Sequence, residues 1–211
     1  MIRAFRELFE SWLRKIGGPI GRKLRIWYYR NKFKTCGKNC VIEEGVHITN
    51  PKLISLGNNI WIDKNTILIA GAFDENSRNF AEKGEKKINR GELIIKDGCH
   101  LAPFSLIQAH GGISIGKNVT VASGAKIYSL SHHYRNLNDD TDKKRYSFSS
   151  TAPIEDQFLI VGNVLVGDNA AVGINSVILP GTVIPNGTWV GVLSSPTNNE
   201  AMKENTIFKN S

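Results

Sequence analysis

The sequence lacks the features that mark membrane-spanning and secreted proteins. In its 211 residues there is no apolar run of about 18 residues, so no transmembrane helix is expected. The N-terminus has neither the apolar core nor the small-residue cleavage site of a signal peptide. We therefore expect a cytoplasmic protein.

Cysteine is scarce, which excludes a disulfide framework. The three cysteines, Cys36, Cys40 and Cys99, cannot all pair with one another. Cys36 and Cys40 have no second cysteine pair with which to complete a metal site. We expect all three thiols to be reduced and to pack in the core.

Positive charge is absent from a long part of the chain. Residues 147–202 contain no Lys or Arg, although the formal net charge is +8. Residues 1–38 hold 11 Lys and Arg against 2 Asp and Glu, so the remainder is nearly neutral. The basic character therefore belongs to an N-terminal segment, and we expect no nucleic-acid partner.

This segment, residues 1–35, reads as a pair of amphipathic helices. The first is predicted over residues 2–16 and ends before Pro19. Its apolar side chains fall on one face: Ile2, Phe5, Phe9, Trp12, Leu13 and Ile16. A second basic and aromatic helix is predicted over residues 20–34. Two interpretations stay open: the helices cap the end of the fold or contact another subunit, or they lie on the inner face of a membrane.

Residues 36–197 follow a period of six, which neither a helix nor a plain strand shows. An apolar residue opens 18 hexads, including those at Val166, Val172, Ile178, Ile184 and Val190. The fourth position is Gly or Asn in 13 of the 18 hexads. Because Gly and Asn tolerate positive φ, each hexad predicts a short strand followed by a sharp corner. The pattern indicates a mainly β protein, a parallel solenoid of about six coils with an apolar interior.

Two polar segments leave the repeat as excursion loops. They span about residues 73–92 and residues 131–158, and residues 198–211 are expected to form a C-terminal tail. Long loops that leave a rigid scaffold often carry binding or catalytic residues. We therefore look for the functional site next to these loops.

Three repeats of the form [Ile/Leu/Val]-Gly-x-Asn, at 56–59, 115–118 and 166–169, resemble those of the hexapeptide-repeat acyltransferases. The resemblance is strongest to maltose and galactoside O-acetyltransferases and to enzymes of surface-polysaccharide synthesis. It implies a left-handed parallel β-helix, a homotrimer, and acetyl-CoA as co-substrate without a metal. It also implies acetyl transfer to a sugar hydroxyl in surface-polysaccharide or glycoconjugate biosynthesis.

Such a transfer needs a base for the hydroxyl proton and donors for the oxyanion. His132 is the predicted base, because Tyr128, Ser129, Ser131 and His132 resemble the family's Tyr-Thr-x-Thr-His stretch. His133 stays open as an alternative base or a substrate contact. Four carboxylates stay open as the group that orients His132: Asp139, Asp140, Glu155 and Asp156.

The resemblance also assigns positions around the substrates. The family's oxyanion donor, a backbone amide in a Trp-Ile-Gly-x corner, corresponds here to the amide of Ile174, with Ala171 in place of Trp. Coenzyme A is expected against Gly173, Gly191, Ser194, Ser195 and Lys203. The acceptor is expected near His133, His110 and Tyr128. The phosphates of coenzyme A have several candidate cations: Lys143, Lys144, Arg145, Lys203 and Lys209.

Three other functions compete with this hypothesis. The first is N-acyl transfer to an amino-sugar nucleotide, and the second is a non-catalytic β-helix scaffold, which the departure from the family pattern at Thr197 and Asn198 favours. The third is a zinc enzyme like the γ-type carbonic anhydrases, which bind zinc through histidines, two of them five positions apart. No two histidines of this chain have that spacing, so we expect no metal.

Overall fold

The computed structural model describes residues 2–76, 79–196 and 202–209. It begins with two helices, α1 (Ile2–Lys15) and α2 (Gly18–Arg30), followed by short strands. Two 3-10 turns occur at Pro51–Leu53 and Ile154–Asp156. The strands in chain order are β1 (Thr35–Cys36), β2 (Val41–Ile42), β3 (His47–Thr49), β4 (Ile54–Leu56), β5 (Trp61–Ile62), β6 (Ile67–Ile69), β7 (Asn79–Glu82), β8 (Leu93–Ile95), β9 (His100–Leu101), β10 (Leu106–Gln108), β11 (Ile113–Ile115), β12 (Thr120–Val121), β13 (Lys126–Tyr128), β14 (Leu130–His132), β15 (Phe158–Val161), β16 (Val164–Val166), β17 (Ala171–Val172), β18 (Val177–Ile178), β19 (Val183–Ile184), β20 (Trp189–Val190) and β21 (Ile207–Phe208).

Three parallel sheets form the faces of a prism, and each turn of the chain adds one strand to each face. Face A has the order β1-β4-β8-β11-β16-β19, face B has β2-β5-β9-β12-β17-β20-β21, and face C has β3-β6-β10-β13-β18. This is the left-handed parallel β-helix that the hexads and the resemblance predict, with six strands on face A for the expected six coils. The expected C-terminal tail contributes β21, which pairs with β20 as a seventh strand of face B.

The length of one coil is fixed by hydrogen bonds between corner residues of neighbouring coils. These bonds span sequence separations of 18, 20, 39 and 51 residues: Asp168 to Asn186, Asn39 to Asn59, Asn58 to Asp97, and Asn118 to Asn169. Three hexads therefore make one turn. The period of six is interrupted by two extra residues between Ile48 and Leu56 and by two more between Ile107 and Ile115. These insertions and both excursion loops leave the prism at its corners, and the coils still stack in continuous sheets.

The corners have the backbone conformation that the hexads predict, with one exception among the 13 Gly and Asn positions. Asn163 lacks a positive φ. One of the 18 predicted hexads starts at Ile160, and this prediction was wrong. Ile160 lies in β15, which pairs with β14 and β7 beside the prism. The buried Asn163 instead accepts hydrogen bonds from the amides of Lys87 and Ile88, at 2.5 and 2.7 Å. It thereby fastens the first excursion to the prism.

Five of the 18 fourth positions hold neither Gly nor Asn: Pro51, Phe104, His110, Leu130 and Leu193. Of these, Phe104 and Leu193 adopt positive φ values of 62° and 55°. His110 does not adopt a positive φ, because the corner of its coil lies two residues later, at Gly112, with a φ of 93°.

The two excursions fold against each other in a side sheet of three strands, β14-β15-β7. Its strand β7 belongs to the first excursion, while β14 and β15 flank the second. Arg90 holds the first excursion together, since its buried guanidinium pairs with Glu82 at 2.9 Å and with Glu75. The same group lies over the rings of Phe73 and Phe80. The excursions are thus ordered walls beside the prism.

The helices cap the first coil, as one of the two interpretations predicts. Arg25 of α2 is fully buried, and it donates to the carbonyls of Ile42, Ile16 and Leu13 at 2.8, 2.6 and 3.1 Å. Burial lowers the pKa of Arg25. One guanidinium therefore joins α1, the turn between the helices and the first strand of face B.

The prism interior is a stack of apolar side chains, with one from each coil of face B fully buried: Ile42, Ile62, Leu101, Val121, Val172 and Val190. The three cysteines are free, and Cys40 and Cys99 are buried in this core. Burial raises the pKa of Cys99 to about 11, so this thiol stays protonated. Cys40 and Cys99 thus serve as small core residues, as the sequence predicts, whereas Cys36 is half-buried and packs against the core from outside.

Phe104 provides a test of the corner rule. A phenylalanine with φ 62° is strained by roughly 1–2 kcal/mol relative to a residue that tolerates this conformation. We expect Phe104→Asn to raise the melting temperature by about 2–4 °C, the shift that roughly 1 kcal/mol produces in a chain of this size. Calorimetry of the two proteins measures it.

The control is Phe148→Asn, because Phe148 is equally exposed (64% against 65%) and has no positive φ. An equal rise in both variants would mean that the loss of an exposed aromatic ring, and not the backbone, is responsible.

Candidate active site

A cavity of about 490 Å³ lies where the C-terminal ends of the face C strands meet the side sheet. It is lined by Phe73, Gln108, His110, Tyr128, Leu130, Ser131, His132, Ser150, Gln157, Leu159, Val177 and Leu179. Three residues predicted from the sequence, His132, His110 and Tyr128, meet here. The walls come from face C and from both excursions, so the cavity depends on the loops being folded.

His132 is the last residue of β14 and is held by an uncharged partner. Its Nε2 lies 3.3 Å from Oε1 of Gln157, whose side chain is buried. The amide nitrogen of Gln157 donates to the carbonyl of Ala152 at 2.5 Å, so its oxygen must face the ring. His132 then donates from Nε2, which in the neutral form of an imidazole leaves the lone pair on Nδ1.

None of the four carboxylates that the sequence left open lines this cavity. Asp139 accepts hydrogen bonds from the hydroxyl and amide of Thr141, which lower its pKa. Asp156 pairs with Lys144 at 2.8 Å. Gln157 had no signal in the sequence, because its role depends on the pairing of β14 with β15 across the second excursion.

Two further side chains give the cavity its polar character. His110 donates from Nδ1 to the carbonyl of Gly71 at 2.5 Å, which fixes its ring. Gln108 was not predicted, and its buried Oε1 has no hydrogen-bond partner among the described residues. A buried acceptor without a partner costs free energy, so this atom is suited to accept a hydrogen bond from a bound molecule.

The cavity is also notable for the absence of acidic side chains from the part of its lining that the structure describes. Nor do the described residues include a group of three or more His, Cys, Asp and Glu side chains that could hold a metal ion. Its chemistry therefore rests on imidazole, amide and hydroxyl groups.

His133 lies apart from this constellation. Its Nδ1 contacts the carbonyl of Arg135 at 2.9 Å, and its ring packs on that of Tyr134. It does not line the cavity. Of the two adjacent histidines, His132 is the one that the fold presents to a bound molecule.

Ile174 and His132 do not meet within one chain. Ile174 follows β17 at the corner where the face C strand β18 is about to begin, whereas His132 lies beyond the opposite, C-terminal ends of that face. The Ile174 side chain is half exposed, and its carbonyl accepts from the amide of Leu193 at 2.9 Å. Any site that uses both residues has to combine two chains.

The small residues expected against coenzyme A have structural reasons of their own. A Cβ on Gly173 would lie 2.6 Å from the backbone of Gly191 in the next coil. The amide of Gly191 in turn donates to Phe208 of β21 at 2.7 Å. Ser194 is buried and donates from its amide to the hydroxyl of Ser176 at 3.1 Å. Coil stacking accounts for these residues, and their contact with coenzyme A stays a prediction.

The remaining cofactor candidates are at the surface. Ser195 is partly exposed, and the exposed Lys203 accepts a hydrogen bond from Thr188 through its carbonyl at 2.8 Å. In the second excursion, Lys144 is engaged by Asp156 and Arg145 lies over the ring of Tyr134. The departure from the family pattern at residues 197–198 lies outside the described residues.

Comparison with known proteins agrees with this geometry. No family model matches the chain. A curated relative, dTDP-4-amino-4,6-dideoxy-D-glucose acyltransferase of Escherichia coli, is 26% identical over 162 residues, which cover 77% of this chain and 71% of the relative.

Among solved structures, a variant of AntD, an N-acyltransferase from Bacillus cereus in complex with dTDP and coenzyme A, matches with a TM-score of 0.63 and 22% identity over 86% of this chain and 81% of AntD. A maltose O-acetyltransferase from Clostridium difficile matches with a TM-score of only 0.49 and 16% identity, over 93% of this chain and 75% of that protein. This last similarity is too remote to support an argument about the acceptor.

The solved structures support the fold, and the curated relative supports the class of enzyme. Together with the hexad pattern and the cavity beside face C, they show that the chain is similar to the hexapeptide-repeat acyltransferases of the left-handed β-helix type.

Proposed function

We propose that this protein transfers an acetyl group from acetyl-CoA to a hydroxyl group of a sugar, in the synthesis of a surface polysaccharide or glycoconjugate. The observation that carries the proposal is His132, an imidazole held by the uncharged Gln157 at the wall of a cavity of about 490 Å³ whose described lining has no acidic side chain. Cavities of this size are typical of small-molecule sites.

In the proposed reaction, the sugar hydroxyl gives its proton to Nδ1 of His132 while its oxygen attacks the thioester carbonyl. The carbon–sulfur bond then breaks, and the departing thiolate takes the proton from His132. Gln157 keeps the Nε2 side of the ring occupied, so the lone pair stays on the other nitrogen. Gln108 is available to accept a hydrogen bond from a second hydroxyl of the acceptor.

The proposal includes a homotrimer, because the amide of Ile174 is separated from His132 within one chain. A neighbouring subunit would supply this amide to the oxyanion, and coenzyme A would lie between the two subunits. Trp61 and Trp189 on face B are about half exposed, which suits a face that is covered by another subunit.

A second candidate is N-acyl transfer to a nucleotide-linked amino sugar. The curated relative is named as an acyltransferase of a dTDP-linked amino sugar, and AntD is named as an N-acyltransferase in complex with dTDP. These names favour an amine acceptor. The absence of a carboxylate from the described lining favours a hydroxyl, because an ammonium group entering the cavity would lack a charged partner.

His132→Ala tests the base. A positioned base contributes roughly 10²- to 10⁴-fold, so we expect kcat to fall by about that factor while the circular dichroism and melting temperature stay unchanged. The release of the coenzyme A thiol measures the rate. His133→Ala is the matched control and should keep its activity within about tenfold. The opposite order of losses would assign the base to His133.

Gln157→Glu tests the uncharged partner of the base. A carboxylate beside His132 would stabilise the protonated ring, and a base works only when unprotonated, so the acid limb of the pH–rate profile should move to higher pH by about one unit or more. In Gln157→Leu we expect kcat to fall about tenfold without such a shift. A purely structural role for Gln157 would lower both rates and move neither profile.

The product distinguishes the two candidate functions. We would offer acetyl-CoA with dTDP-4-amino-4,6-dideoxyglucose and, separately, with dTDP-6-deoxyglucose, which carries a hydroxyl in place of the amine. An O-acetyl ester is cleaved by hydroxylamine, whereas an amide survives. An amide product would establish the second candidate. A folded protein that neither binds acetyl-CoA nor turns over would instead be the non-catalytic scaffold.

A further inference from the structure

The outer surface of the two helices is both apolar and aromatic. Five large side chains on α1 and α2 are 58–73% exposed: Phe5, Leu8, Trp12, Ile20 and Trp27. We call these five the helical patch. They cover no part of the core, and isolated exposed apolar residues would not be spaced so regularly on both helices.

The patch points away from the prism. On α2, Arg25 and Tyr29 are buried against the first coil, and Ile20 and Trp27 lie about half a turn round the helix from them. On α1, the carbonyl of Arg14 accepts a hydrogen bond from the prism amide of Gly45 at 2.9 Å, on the side opposite Trp12. Capping the prism with one side of each helix therefore leaves the other side uncovered.

Positive charge borders the patch. Lys23 and Arg30 lie in line with Ile20 and Trp27 on α2, and Lys15 flanks the patch on α1. These three side chains are exposed and form no ion pair within the described residues. By contrast, Arg22, Lys32 and Lys34 are each paired with a glutamate.

We propose that the helical patch docks on the surface of a bilayer that contains anionic phospholipid. Tryptophan beside lysine and arginine suits the boundary between headgroups and acyl chains. Each basic side chain near an anionic surface contributes roughly 1 kcal/mol, and the exposed apolar side chains add the part that does not depend on salt. No helix within the described residues is long and apolar enough to cross a membrane, so the contact is at the surface.

The charges argue against the other occupants of such a surface. A second copy docked patch to patch would bring the three unpaired cations against their own kind, which costs free energy. Nucleic acid would satisfy the charge but leave the five apolar side chains in water. Of these three occupants, only a bilayer surface provides anionic groups for the cations and apolar chains for the helical patch.

Vesicle flotation tests the proposal with the whole chain. We expect the protein to float with vesicles of phosphatidylcholine and phosphatidylglycerol at a ratio of 3:1, and to float at least about tenfold less with phosphatidylcholine alone. The double variant Trp12→Ser and Trp27→Ser should lose at least about tenfold in apparent affinity for the anionic vesicles. Wild-type tryptophan fluorescence should shift to shorter wavelength on binding.

The matched control is Phe104→Ser with Phe148→Ser, which removes two equally exposed aromatic rings that lie outside the two helices and should leave flotation unchanged. Equal flotation of the Trp12 and Trp27 variant and the wild type would overturn the proposal. So would a wild type that binds neither vesicle, or a variant that changes oligomeric state in gel filtration instead of vesicle binding. None of these results depends on the acetyl-transfer reaction.

Discussion

One residue with a left-handed backbone at each corner is the constraint on which the structure depends. It turns the chain sharply enough for three two- or three-residue strands to close a coil, and it places the next corner directly above. The corner side chains then hydrogen-bond along the edge of the prism, as Asn39 does to Asn59. With the edges fixed, the strands of faces B and C each turn one apolar residue inward and most strands of face A turn two, and these side chains form the core. Only Gly and Asn meet this requirement at little cost, which is why their spacing alone reveals the fold.

The periodic part of this protein could be predicted from its sequence, and the non-periodic part could not. The hexads predicted the strands, the corners and the two excursions, and the left hand of the helix came from family resemblance. The position of His132 at the end of a coil was predicted in the same way, and its catalytic role stays a prediction. Gln157, Gln108 and Asn163 were missed, because each acts through a contact between segments that no repeat relates. The repeats of a sequence therefore predict the coils of the prism, but they do not predict which residues of the excursions form the walls of its cavity.

The partner of His132 changes what this site can do. A carboxylate in that place would hold the ring and also draw a proton onto it, whereas the amide of Gln157 only holds it. The base is then oriented by an uncharged partner, in a cavity whose described lining has no acidic group. Such surroundings suit an acceptor that arrives neutral. The same arrangement explains why none of the acidic residues of the second excursion had to be near the ring.

The way in which the excursions leave the prism has a consequence for the history of the chain. Asn58 and Asp97 hydrogen-bond across the first excursion, and Asn118 and Asn169 across the second. Asp168 and Asn186 form the same kind of bond across a single uninterrupted coil. The stacking of the prism therefore does not depend on what is inserted at these two corners. Mutation can lengthen, shorten or exchange either insertion without a loss of core packing, while the residues that line the cavity change with it. Selection for a new acceptor could thus act on the loops while the scaffold is inherited unchanged.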